Sequence, residues 1–176
     1  MVSEMMNIKS LLIVSSTFFT SLVYADPVVT VNLRIKAVIV DRTCTVATES
    51  QNVNVDLGKW ATNNMINIGN QTRLTPFSIL LKDCSAKKVS IAFQGQKDTN
   101  NSQLLALSTN SSASNIAIGI FDQNQQLLPV AQFTQPVSID SSNKIQLNFF
   151  ANYIVTRKSA TAGTANSTAN FIVNYD

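Results

Sequence analysis

Cys44 and Cys84 are the two cysteines of this chain, forty positions apart. A redox or metal-binding pair would sit two or three residues apart, whereas an even, wide pair in an exported chain reads as a disulfide. Closing a loop of that length removes unfolded-state entropy worth roughly 4 kcal/mol. Other reactive chemistry is sparse. The sequence has no histidine, which removes Ser-His-Asp and Cys-His catalysis, imidazole metal sites and the commonest general base. After residue 25 the carboxylates are spread singly from Asp26 to Asp176, with no dense acidic loop, no P-loop and no dinucleotide fingerprint. An enzyme is not expected, nor a cofactor or metal ligand. Trp60, the single tryptophan, either packs beside the core or stacks on a sugar; packing is the plainer reading.

The compartment that would oxidise the cysteines is legible at the N-terminus. Lys9 precedes the charge-free run Leu11 to Leu22, and Val23-Tyr24-Ala25 places small residues where a signal peptidase reads. Residues 1–25 are expected to be a secretory leader rather than an uncleaved anchor, because the run is short for a membrane span. Lysine and arginine never run longer than two, and the net charge is +3. Solvated faces account for that, and no nucleic-acid partner is expected.

The elements that must hold the cysteines are strands. Val53, Val55 and Leu57 alternate with polar residues; so do Val89, Ile91 and Phe93, then Ile116, Ile118 and Ile120. Phe77 to Leu81 runs apolar into Asp83-Cys84, and Ile145 to Val155 gives the longest alternation. Ala169, Phe171, Val173 and Tyr175 finish the chain on one parity. Period two with β-branched and aromatic residues, separated by Ser/Thr/Asn-rich connectors, predicts seven or eight strands in an all-β antiparallel sandwich.

Both ends of the expected mature chain are apolar ribbons. Val29, Val31, Leu33, Ile35 and Ala37 share one parity immediately after the leader. By pattern alone this ribbon is either the first strand of its own sandwich or an arm that adds to another molecule's sheet edge. A chain carrying both an arm and an open edge polymerises head to tail.

Several segments, in order and at matching separations, resemble the pilins of chaperone–usher fimbriae, type 1-like subunits in particular. They are Cys44-Thr45-Val46 after the alternating ribbon, Val55-Asp56-Leu57-Gly58, Thr75 to Cys84, Phe150-Ala151-Asn152-Tyr153, Gly163 fourteenth from the end and penultimate Tyr175. The resemblance implies an immunoglobulin-like sandwich lacking one strand. Residues 26–40 would be a donor-strand extension and 41–176 the pilin domain. Val29, Val31, Leu33, Ile35 and Ala37 would be the donor residues, and Gly163, Phe171, Val173 and Tyr175 would belong to the strand facing the groove or a chaperone.

The partners so implied are a periplasmic pilus chaperone, an outer-membrane usher and neighbouring fimbrial subunits, in a surface fibre that supports cell adhesion. Chaperone–pilin donor-strand complementation is a known instance of β-strand addition, carried over here with the resemblance. A carbohydrate-binding tip adhesin is the alternative, although such adhesins usually add an N-terminal lectin domain for which about 150 mature residues leave no room. One position departs from the family pattern. Ala37 stands where a glycine is common, and a methyl group there would demand more room in an acceptor groove and so would narrow which subunits accept the arm.

Overall fold

The computed structural model describes residues 43–176. The expected leader 1–25, the expected arm 26–40 with Val29, Val31, Leu33, Ile35 and Ala37, and the first residues of the expected 41–176 domain lie outside the described residues.

The described chain forms strands β1 (Thr45–Val46), β2 (Thr75–Lys82), β3 (Lys88–Gly95), β4 (Ile116–Phe121), β5 (Val137–Ser138), β6 (Ile145–Val155) and β7 (Ala169–Tyr175). A single helical turn, α1 (Thr48–Gln51), and a 3-10 turn (Thr62–Asn64) are the helical pieces. One sheet has the order β1-β2-β6-β4 and the other β5-β3-β7. All named pairs are antiparallel, as the all-β reading requires.

Alternation decides the register. Phe77 faces Phe149, Ile79 faces Leu147 and Leu81 faces Ile145 across β2 and β6. In the other sheet Val89 faces Tyr175, Ile91 faces Val173 and Phe93 faces Phe171. A slip of one residue would turn each apolar set to water. The two sheets meet through Phe77, Phe149 and Phe93, whose ring centroids lie 5.0 to 5.8 Å apart. Edge-to-face pairs of this kind contribute roughly 0.5–1.5 kcal/mol beyond area burial. A disulfide joins Cys44 to Cys84, pinning the entry of β1 to the end of β2.

Most long edges are covered. Leu105 exchanges two 2.9 Å backbone bonds with Ile118, and the Leu128 amide donates to Ile120 at 2.8 Å, so the outer side of β4 is occupied. The second side of β3 is occupied by β5 and by the amides of Ala131 and Thr134, which donate to Phe93 and Ile91. Beyond its bonds to β3, β7 has no backbone partner among the described residues. An unpaired edge is a template for another chain.

One local expectation differs from what is observed. Val53 to Leu57 alternate as a strand should, yet form none, because no described backbone lies alongside to pair with them. Asn152 falls on the outward parity of β6 but is fully buried. The chain before β2 runs on along β6, and the Asn152 side-chain amide donates to Thr72 O at 3.0 Å and Gln71 Oε1 at 3.1 Å.

Candidate functional site

The open edge of β7 borders a groove of about 850 Å³. Its floor is the space between the sheets, lined by Phe77 and Ile79 from β2, Phe93 from β3, Ile118 and Ile120 from β4, and Leu105. One wall is β7 with the preceding Ser167 and Thr168; the other is the strandless stretch Gln51 to Leu57.

Burial reports what is missing. Val89 and Ile91 on β3 are 0% exposed, whereas their inward-facing partners Tyr175 and Val173 on β7 are only half-buried. Phe171 and Ala169 are likewise half-buried. Inward residues of a finished sandwich would be covered from both sides. These are covered from one.

Among the described residues, no aspartate, glutamate, lysine or arginine lines the groove. Its chemistry is apolar burial along the floor and backbone hydrogen bonding along the walls, which is what an extended peptide strand uses. Groups of three or more His, Cys, Asp or Glu that could hold a metal are absent among the described residues.

The disulfide end of the groove is tied down. Tyr175 Oη donates to the Cys44 carbonyl oxygen at 3.3 Å, and the Lys87 and Lys88 amides both donate to Asp176 O. At the other end the same two walls continue into a second concavity of about 390 Å³, lined by Asp56, Gly58, Trp60, Met65, Tyr153 and the segment 160–166. The Trp60 indole N–H donates to Leu57 O at 2.6 Å, and the Arg73 guanidinium lies 5.4 Å from the ring centroid. Tyr153 Oη donates to Ala165 O at 2.8 Å. Burial, with a smaller contribution from the Asp56 charge, pushes the Tyr153 phenol above its ordinary value.

Of the residues singled out by sequence, Phe171, Val173 and Tyr175 line the groove together, and Cys44 and Cys84 are bonded to each other. Gly163 does not line the groove. It borders the second concavity, where a Cβ would come within 2.5 Å of Ala113 N and Ser112 Oγ. The floor residue Leu105 escaped sequence reasoning; it sits in a polar connector whose one-residue bridges leave no alternation to read.

A family model described as fimbrial protein matches residues 32–176. The fimbrial-like protein FimF of Salmonella typhimurium is 36% identical over 146 residues, covering 83% of this chain and 84% of FimF. Among solved structures, an antigen and type I fimbria protein of Burkholderia pseudomallei is 29% identical at a TM-score of 0.61, covering 77% of this chain and 91% of that one. The P pilus rod subunit PapA, at 18% identity, shares the fold with a TM-score of 0.63 over 76% of this chain and 99% of its own. Because the family match spans the disulfide and both walls of the groove, the chain belongs to the fimbrial protein family.

Proposed function

We propose that the groove beside β7 receives the N-terminal arm of a neighbouring subunit, making this chain a structural subunit of a chaperone–usher fimbria. The carrying observation is the uncovered edge of β7 above an apolar groove, with Phe171, Val173 and Tyr175 half-buried along it. A periplasmic chaperone would fill that groove before assembly, and the arm of the next subunit would replace the chaperone strand at the outer-membrane usher. The fibre is exported to the cell surface, where it supports adhesion.

Dimensions and parity support the pairing. At about 3.3 Å per residue, the arm Val29 to Ala37 and the wall Ser167 to Tyr175 each extend about 30 Å. Laid antiparallel, the more stable pairing per residue, Val29, Val31, Leu33, Ile35 and Ala37 fall opposite Tyr175, Val173, Phe171, Ala169 and Ser167. All five wall residues line the groove. Each fully buried Val, Leu or Ile contributes roughly 1.5–3 kcal/mol, so Val29, Val31, Leu33 and Ile35 supply on the order of 6–12 kcal/mol before ordering costs. That matches the whole stability of an ordinary domain. Arm and edge on one molecule give a heterologous contact, which propagates as an open fibre.

Cysteine cross-linking tests the register. Mixing Leu33→Cys chains with Phe171→Cys chains under mild oxidation should give a covalent dimer, while Ile172→Cys, on the opposite parity, should not. A Leu33→Cys/Phe171→Cys double variant that bonds only within its own chain, at any concentration, contradicts the proposal.

A further inference from the structure

Asn-X-Ser/Thr triplets begin at Asn70, Asn100, Asn110 and Asn166. In an exported chain such a triplet can accept N-linked sugar where its amide and its hydroxyl both meet solvent. The fold separates the four. The Asn70 side-chain oxygen accepts from the Asn67 amide, and the buried Thr72 hydroxyl accepts from the Tyr153 amide. Ser112, which completes the Asn110 triplet, spends its hydroxyl on the amide and hydroxyl of Thr164. Asn166 leads into Ser167 and Thr168, which line the groove, so a saccharide there would obstruct the wall.

Asn100 has neither obstacle. It is exposed in the connector after β3, and so is Ser102. Neither side chain has a hydrogen bond among the described residues. The loop around them is closed at its base, where the Asp98 amide donates to Leu104 O at 2.9 Å. Inside it Asp98 Oδ1 accepts from the amides of Asn100 and Asn101, both at 2.9 Å, and Asn101 Oδ1 accepts from the Gln103 amide at 3.1 Å. Asx turns of this kind satisfy the backbone within the loop, which leaves the Asn100 carboxamide and the Ser102 hydroxyl unspent. No residue from 97 to 104 lines either hollow, so a group added here leaves both open.

Asp98 adds a charge to this presentation. It stands two residues before the acceptor, where the other triplets have Ile68, Ser108 and Thr164. One of its oxygens takes both turn bonds. The other can accept a charge-assisted bond from a cationic group on an enzyme.

We infer that Asn100 is an N-glycosylation site, modified on the exported chain by a transferase that draws its saccharide from a lipid-linked diphosphate carrier. Asn100 Nδ2 bonds to the anomeric carbon as the bond from that carbon to the carrier's phosphate oxygen breaks. The electron pair leaves with the carrier diphosphate, and the amide gives up one proton. Ser102 is recognised through its hydroxyl and Asp98 through its charge. The bulky, hydrated product covers the connector and solubilises that part of the surface. None of this rests on the donor-arm reading.

Mass spectrometry of the mature chain isolated from its own cells is the test. Cleavage after lysine and arginine releases residues 98–144 as one peptide. Fragmentation should place a saccharide on Asn100 and leave Asn110, in the same peptide, bare. Asn100→Gln and Ser102→Ala should each remove it. Asp98→Asn keeps an oxygen for the turn bonds but loses the charge, and should lower occupancy about tenfold, as expected for one charge-assisted contact. A peptide found only at its unmodified mass, or carrying its saccharide on Asn110 instead, overturns the inference. Unchanged occupancy in Asp98→Asn overturns the part given to Asp98.

Discussion

Tyr175 Oη donates a hydrogen bond to the carbonyl oxygen of Cys44, at 3.3 Å and across 131 positions of sequence. The bond joins the end of β7 to the half-cystine that opens the described fold. One end of the groove is thus closed by a covalent bond and a hydrogen bond in series, and the other end runs on into the Trp60 hollow. A strand entering this groove would meet a rigid stop at the disulfide end.

Tyr175→Phe removes that bond while keeping the ring. The expected cost is about 0.5–1.5 kcal/mol. It appears as a lower denaturant midpoint at unchanged m-value in the strand-filled subunit, because the surface exposed on unfolding is the same.

Gly163→Ala places a methyl group within 2.5 Å of Ala113 N and Ser112 Oγ. The 157–168 connector is held there by bonds between Thr164 and Ser112 and between Thr161 and Ser114. Relief requires backbone movement, and overpacking of this sort typically costs about 1–3 kcal/mol. Thermal unfolding of the strand-filled subunit checks the loss. The groove itself should keep its affinity for an arm peptide of residues 27–37, since Gly163 does not line it.

The Tyr153 phenol, raised by burial and by Asp56, sets an alkaline limit. A folded value above the unfolded one means that its contribution to stability is complete below the ordinary tyrosine value of about 10 and is lost as pH rises through the folded value. Ionisation also ends its donation to Ala165 O. Amide exchange in residues 160–166 should therefore accelerate more steeply above about pH 10 than the intrinsic rate does, and Tyr153→Phe should remove the excess.

Ala37 falls opposite Ser167 in the proposed register. Ala37→Gly removes the methyl group that must fit between the walls, so arm peptides carrying glycine should exchange faster into a range of acceptor subunits. Equal rates for the two peptides would show that the groove tolerates either residue.

How much of this was legible in advance depended on what alternation can report. It tells which side of a strand faces the core, and so β2, β3, β4, β6 and β7 could be read from Phe77, Ile91, Ile118, Phe149 and Val173. It does not tell whether a partner strand exists. Val53, Val55 and Leu57 alternate as cleanly as any, yet stand as a bare wall because the strand they would pair with is missing from the described fold. Covered edges were also hidden, since Leu105 and Leu127 protect β4 through isolated bridges, and Leu128 through one backbone bond, none of which carries a period. Gly163 has a further lesson. Its distance from the chain end associated it with the groove strand, but its lack of a Cβ serves the packing of two connectors.

Hydrogen exchange along β7 tests the central claim most directly. In a lone subunit with an empty groove, the amides of Ala169 to Tyr175 that point away from β3 should exchange within seconds, while those bonded to β3 stay protected. In the assembled fibre both sets should be slow, and the amides of Val53 to Leu57 should slow with them. If the outward set is already protected in the lone monomer, or stays unprotected in the fibre, no neighbouring arm completes this sandwich.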